Sequence, residues 1–183
     1  MISKIFSVVL AAGLLAFALS GLPTWAATTA FTLNISGAGS NGAVYDYVGS
    51  GTTSPFGNVS FSNAGSLTQL AAHTGSASGS FNFTFASGDS FHAAYAGLIV
   101  SNTTGVGSQT NGTATISGGS GQFSNASGSI SFTLATAPAG NQTSTFSLTG
   151  SGSITTASAA SSVITVGPPA LPFSFVQGST ATA

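Results

Sequence analysis

The chain has 183 residues, of which 42% are hydrophobic and only 2% charged; there is one Lys/Arg, there are two Asp/Glu, and there is no cysteine. Lys4 is the single basic residue, so nothing offers the cationic surface that nucleic-acid backbones or anionic headgroups require, and nucleic acid is excluded as a partner. Without cysteine there is no disulfide framework and no thiolate site, and the length suits one domain that can hold a core without staples.

The first segment, "MISKIFSVVLAAGLLAFALSGLPTWAA", carries Lys4, then an apolar run from Ile5 to Leu19 broken by Gly21 and Pro23. Thr24-Trp25-Ala26 presents a small residue at the first and third positions before a cut. These features predict a secretory signal peptide over 1–26, cleaved after Ala26, and an extracellular or periplasmic destination. The apolar run is short for a membrane span, and no span is expected in the mature chain. A secreted chain free of cysteine fits a bacterial source better than a small disulfide-rich animal domain.

Beyond residue 26 there is no Lys, Arg, Glu or Cys. Twelve of the fourteen phenylalanines lie there, which separates the chain from disordered sequences poor in aromatics. Alternation of period two dominates. "FTLNIS" sets Phe31, Leu33 and Ile35 against Thr32, Asn34 and Ser36; "FNFTF" sets Phe81, Phe83 and Phe85 against Asn82 and Thr84. "SISFTLA" aligns Ile130, Phe132 and Leu134, and "TFSLTGSGSI" keeps Phe146, Leu148 and Ile154 in one parity. Such alternation predicts antiparallel strands with one apolar and one wet face. Strands are expected to begin near Phe31, Ala43, Asn58, Ser66, Ser80, Ser90, Gly112, Ser127, Ser144 and Ser162, with Gly/Ser-rich runs between them as turns. The firmest pairing is "FNFTFASGDSFHAAYAGLIV", a hairpin turning at Ser87-Gly88. The fold class is therefore all-β: a small antiparallel barrel of about eight strands over 27–156, or alternatively a β-sandwich. "FSNAGSL" at Phe61 and "FSNASGSI" at Phe123 echo each other, either as two similar corners or by chance. Residues 157–183 form a last strand or an arm, with Pro168, Pro169 and Pro172 arguing against a central strand.

"ISGGSGQFSNASGSISF", from Ile116 to Phe132, is rich in glycine but supports no phosphate cradle. It contains no P-loop lysine, and strand residues follow where a dinucleotide fingerprint needs a helix. It reads as a strand ending at Ile116, a glycine turn, Phe123 folded inward as a plug, and a strand resuming near Gly128. "TATISGGSGQFSNASGSISF" resembles the strand–GGTGxFxxAxG–strand signature of the allene oxide cyclase and dirigent-like barrels, found also in many uncharacterised secreted bacterial proteins. Gly118, Gly119, Gly121, Phe123, Ala126 and Gly128 stand at the signature positions, within a match from about Ser78 to Ile154. The resemblance implies a barrel of roughly eight strands. It carries over no functional residue, because the cyclases use a glutamate and the dirigent proteins use acidic and basic pocket residues.

After the signal segment the titratable candidates are Asp46, His73, Asp89 and His92. Asp89 follows a hairpin glycine, where Asp caps its own turn. His92, three residues on, faces the other side of a regular strand. His73 falls at an exposed strand end, and Asp46, between Tyr45 and Tyr47, is a solvated residue or lines a polar pocket. Neither a nucleophile elbow nor a zinc-ligand spacing is present, so no catalytic, cofactor or metal residue is assigned. Seven of nine asparagines sit in Asn-X-Ser/Thr sequons, which reflects either glycosylation or Asn alternating with Ser and Thr on wet strand faces. The expectation is a non-enzymatic secreted module that self-associates or meets a cell-surface or matrix component. A barrel lined by Phe81, Phe83, Phe85 and Tyr95 that carries a small apolar ligand is the alternative, and a cyclase-like isomerase the remote one.

Overall fold

The computed structural model describes residues 26–101 and 107–157. Eight strands follow one another: β1 (Ala27–Ser40), β2 (Val44–Ser54), β3 (Gly57–Ala71), β4 (Thr74–Phe85), β5 (Ser90–Ser101), β6 (Ser108–Ser120), β7 (Ser127–Gly140) and β8 (Thr143–Thr156). A 3₁₀ turn, Gly121–Phe123, joins β6 to β7. Each strand pairs antiparallel with the next, and β8 pairs with β1, so the sheet is a closed barrel. The sandwich alternative is thereby set aside. Closure matters to a chain with so little charge, because it leaves no sheet edge to guard.

Following register partners from Gly39 leads through Tyr47, Asn63, Phe81, Ala93, Ile116, Gly128 and Ile154 back to Thr29 on β1, ten residues below the start. That stagger over eight strands corresponds to a strand tilt of about 40° and an interior just wide enough for side chains to fill. Period two then sorts the sequence. Phe31, Leu33, Ile35, Phe61, Phe81, Phe83, Ile130, Phe132, Leu134, Phe146, Leu148 and Ile154 all point in and are buried. Their Ser, Thr and Asn neighbours point out.

Two expectations are corrected. Asn58 and Ser66 belong to one strand, β3, because Val59, Phe61, Asn63, Gly65 and Leu67 keep a single parity through "SNAGS". Phe61 is thus mid-strand whereas Phe123 lies in the 3₁₀ turn, and the echo does not mark two similar corners. The start near Ser162, the signal segment up to residue 25 and the end of the chain from residue 158 lie outside the described residues.

Several glycine-rich runs expected as turns are strand interior. Gly37 faces Gly49, Gly65 faces Gly79 and Gly97 faces Gly112 across neighbouring strands. Glycine at inward positions lets a strand bend sharply as the barrel coils. At Gly65 it also clears space: a Cβ there would lie 2.2 Å from the Tyr95 hydroxyl, and one at Gly79 would lie 2.8 Å from it.

One end of the barrel is sealed by aromatic rings. Phe123, wholly buried, sits 5.0 Å from Phe85 and 5.3 Å from both Phe91 and Phe56 by ring centroids. The plug expected at Phe123 is therefore present. The preceding strand ends later than expected, since β6 runs to Ser120 and passes Ile116 by way of a bulge opposite His92.

Candidate functional site

The four titratable candidates are dispersed. Asp46 points outward from β2, where its carboxylate accepts from the Ser40 hydroxyl and its backbone N–H donates to the Ser40 Oγ at 3.2 Å. His73 occupies the β3–β4 hairpin with φ +67, its carbonyl accepting from the Ser101 N–H at 2.8 Å. His92 is on the outer face of β5: Phe91, Ala93 and Tyr95 point in, and His92, Ala94, Ala96 and Leu98 point out. Among the described residues no three His, Cys, Asp or Glu side chains converge.

Asp89 does more than cap its own turn. Its Oδ2 accepts from Ser87 Oγ at 2.9 Å and also from Gln122 Nε2 at 2.9 Å, linking the β4–β5 loop to the 3₁₀ corner. Gly121 is required there twice over. It has φ +59, and a Cβ would overlap the Asp89 carboxylate. The carboxylate is thus engaged as a structural clamp at the sealed end.

The buried polar chemistry lies elsewhere, in the half of the barrel nearer the β1–β2 and β3–β4 hairpins. The Tyr45 and Tyr95 hydroxyls meet at 2.7 Å, and Tyr95 donates to Asn63 Oδ1 at 3.1 Å. Since the Tyr95 proton is committed to Asn63, Tyr45 must be the donor in the first bond. Sequence reasoning passed over Asn63, although a signal existed: it is a polar residue on the parity of Val59 and Phe61, and it lies outside the sequons. Among the described residues its Nδ2 and the Ser144 Oγ are buried without a hydrogen-bond partner. Burial pushes the Tyr45 and Tyr95 phenols up from their ordinary value, and it pushes Tyr47, beside Tyr45 and Asp46, up to about 12. All three stay protonated near neutrality, unsuited to act as bases or anionic metal ligands, and the Tyr45 and Tyr95 hydroxyls are held in place by their hydrogen bonds.

Phe81, Phe83, Phe85 and Tyr95 fill the interior by packing on one another and on their neighbours. Phe81 stacks on Tyr95 at 4.2 Å, and Phe83 stacks on Phe91 at 4.6 Å. A cavity of about 310 Å³ opens at the hairpin end between Leu67, His73 and Ile99; a larger groove, about 760 Å³, runs over the outside of β8 beside Thr32 and Ser151.

Every described sequon asparagine is exposed, whereas Asn63 is buried. On a strand the Asn and its Ser/Thr share a face, and Asn111 shows the resulting lattice: its Oδ1 accepts from Thr133 Oγ1 at 2.8 Å on β7. Comparison with known proteins finds no matching family model, no matching curated protein and no matching solved structure.

Proposed function

We propose that the protein is a secreted, non-enzymatic barrel that works at or outside the cell surface as a structural or interaction module. The observation that carries this reading is the division of the barrel into a filled aromatic interior and an almost uncharged Ser/Thr/Asn exterior. Rings stacked at van der Waals separation favour a scaffold over a carrier of apolar ligands. The exterior offers neighbours little electrostatic repulsion, which favours association with copies of itself or with a neutral surface. Kinship with the allene oxide cyclase and dirigent-like barrels belongs to the same proposal and is supported by the residues of the glycine corner from Gly118 to Gly128. Sedimentation of the full chain and binding of labelled protein to source cells and their matrix test the function. Concentration-dependent association or saturable surface binding is expected; a monomer that binds neither would overturn the reading.

A further inference from the structure

The sequence holds two Asn-Gly dipeptides, Asn41-Gly42 and Asn111-Gly112, and the fold holds them in opposite ways. Glycine after asparagine leaves the backbone nitrogen unshielded by a Cβ, so an asparagine side chain can reach it unless something restrains either group. Both asparagines are exposed. Asn111 is inside β6, where its Oδ1 accepts from Thr133 Oγ1 at 2.8 Å and from Gln109 Nε2 at 3.3 Å. Gly112 stands in register between Gly97 on β5 and Phe132 on β7, which commits its N–H to the ladder. Asn41 and Gly42 lie instead in the connection between β1 and β2. The backbone there is tied on either side: the Asn41 N–H donates to the Gln142 carbonyl at 2.7 Å, and the Ala43 carbonyl accepts from the Leu67 N–H at 2.8 Å. Between these ties, among the described residues, neither the Asn41 carboxamide nor the Gly42 N–H has a hydrogen-bond partner. A Cβ on Gly42 would meet only the Val44 carbonyl oxygen, at 3.3 Å, so there is room around the nitrogen.

We propose that Asn41-Gly42 is a site of spontaneous deamidation, a modification that changes the charge of the barrel with time. The Gly42 nitrogen gives its proton to water and bonds to the Asn41 Cγ. The bond from Cγ to Nδ2 breaks, the side-chain nitrogen takes up a proton and leaves as ammonia, and a five-membered succinimide remains. Water then opens the ring at one carbonyl or the other, giving aspartate or isoaspartate. One water enters and one ammonia leaves, with no oxidant and no enzyme. Beyond residue 26 the sequence has two carboxylate side chains, Asp46 and Asp89; deamidation adds a third. It arises beside Ser40, whose hydroxyl is held by the Asp46 carboxylate, so like charges come to share one hairpin. Isoaspartate also adds a backbone atom between the two ties, and at least one of them must slacken. This modification is independent of the self-association reading.

The test is to age the purified protein at neutral pH, folded in buffer and unfolded in guanidinium chloride. Chymotryptic peptides are then fragmented in the mass spectrometer to read the acid formed at each asparagine, and isoaspartate methyltransferase counts the isomer. In the folded protein Asn41 should convert at least tenfold faster than Asn111; in guanidinium the two rates should converge, since the dipeptides are the same. Gly42 has a φ outside the left-handed region, so Gly42→Ala should fold and slow conversion at Asn41 at least tenfold. Asn41→Gln, whose longer side chain disfavours the five-membered ring, should independently remove most of the ammonia released by folded protein. The isoaspartate form should exchange its residue 41 or Leu67 amide hydrogen faster than unaged protein. An Asn41 that stays intact in folded protein, or converts no faster than Asn111, overturns the site. A tenfold gap that survives in guanidinium also overturns it, because the difference would then come from the neighbouring residues and not from the fold.

Discussion

Replacing Tyr95 by phenylalanine removes one oxygen from the barrel and tests how its polar chain is held. The ring remains stacked on Phe81 at 4.2 Å, so packing is conserved. Two hydrogen bonds vanish, at 2.7 Å to Tyr45 and 3.1 Å to Asn63. Asn63 already has an unpartnered Nδ2, and the substitution strands its Oδ1 as well. A buried polar group without a partner costs about 1–3 kcal/mol. Tyr45 loses its acceptor too but lies nearer the hairpin end. Tyr95→Phe should therefore cost about 2–4 kcal/mol. Tyr45→Phe removes only the donor at the head of the chain and should cost about 0.5–1.5 kcal/mol. Urea unfolding followed by far-ultraviolet circular dichroism measures both, with the m-value unchanged because the surface exposed on unfolding is the same. Adding Asn63→Leu to Tyr95→Phe replaces the stranded amide by an apolar group of similar size and should recover at least half the loss. Equal costs for the two tyrosine variants, or no recovery, would refute the donor order Tyr45 to Tyr95 to Asn63.

Other consequences are equally open to measurement. Burial raises the phenol of Tyr47 to about 12 and also raises Tyr45 and Tyr95, whereas an unfolded tyrosine titrates near about 10. The folded state keeps protons there that the unfolded state releases, so this stability is whole below about pH 10 and drains away as pH rises toward about 12; tyrosinate absorbance should appear together with unfolding, and a gradual rise on folded protein would count against burial. Gly121→Ala meets both a positive φ and the Asp89 carboxylate, whereas Gly57 has φ +89 with open space around it. The first should cost about 2–4 kcal/mol and Gly57→Ala about 1 kcal/mol in denaturant unfolding, and similar costs would dismiss the Asp89 clamp. Phe123→Ala empties the centre of the aromatic seal and should cost about 3–5 kcal/mol; a loss below about 1 kcal/mol would mean that the seal does not depend on it.

Where parity was clean, strands were legible from the sequence, as in Phe31 to Ile35, Phe81 to Phe85 and Ile130 to Leu134. The inward place of Phe123 was legible as well. Glycine caused the errors. The runs around Gly37 and from Gly75 to Gly79 carry turn composition, yet here glycine serves barrel curvature and room for rings, a demand set by strands far away in sequence. The same blindness split β3 at Gly65, whose partner is Gly79 and whose space belongs to Tyr95. Gln122 could not be linked to Asp89 without knowing that the β4–β5 loop and the β6–β7 corner share one end of the barrel. The tyrosine–asparagine chain joins β2, β3 and β5, and only the folded sheet brings those residues together.

The proposal that function lies on the outer surface rests on the filled interior, and native mass spectrometry of the full protein purified from its source, sprayed without denaturant, tests it most directly. Subunit masses free of any small molecule held in fixed stoichiometry are predicted. A lipid or other apolar molecule bound one per chain, and released only on unfolding, would contradict the filled barrel and restore the carrier.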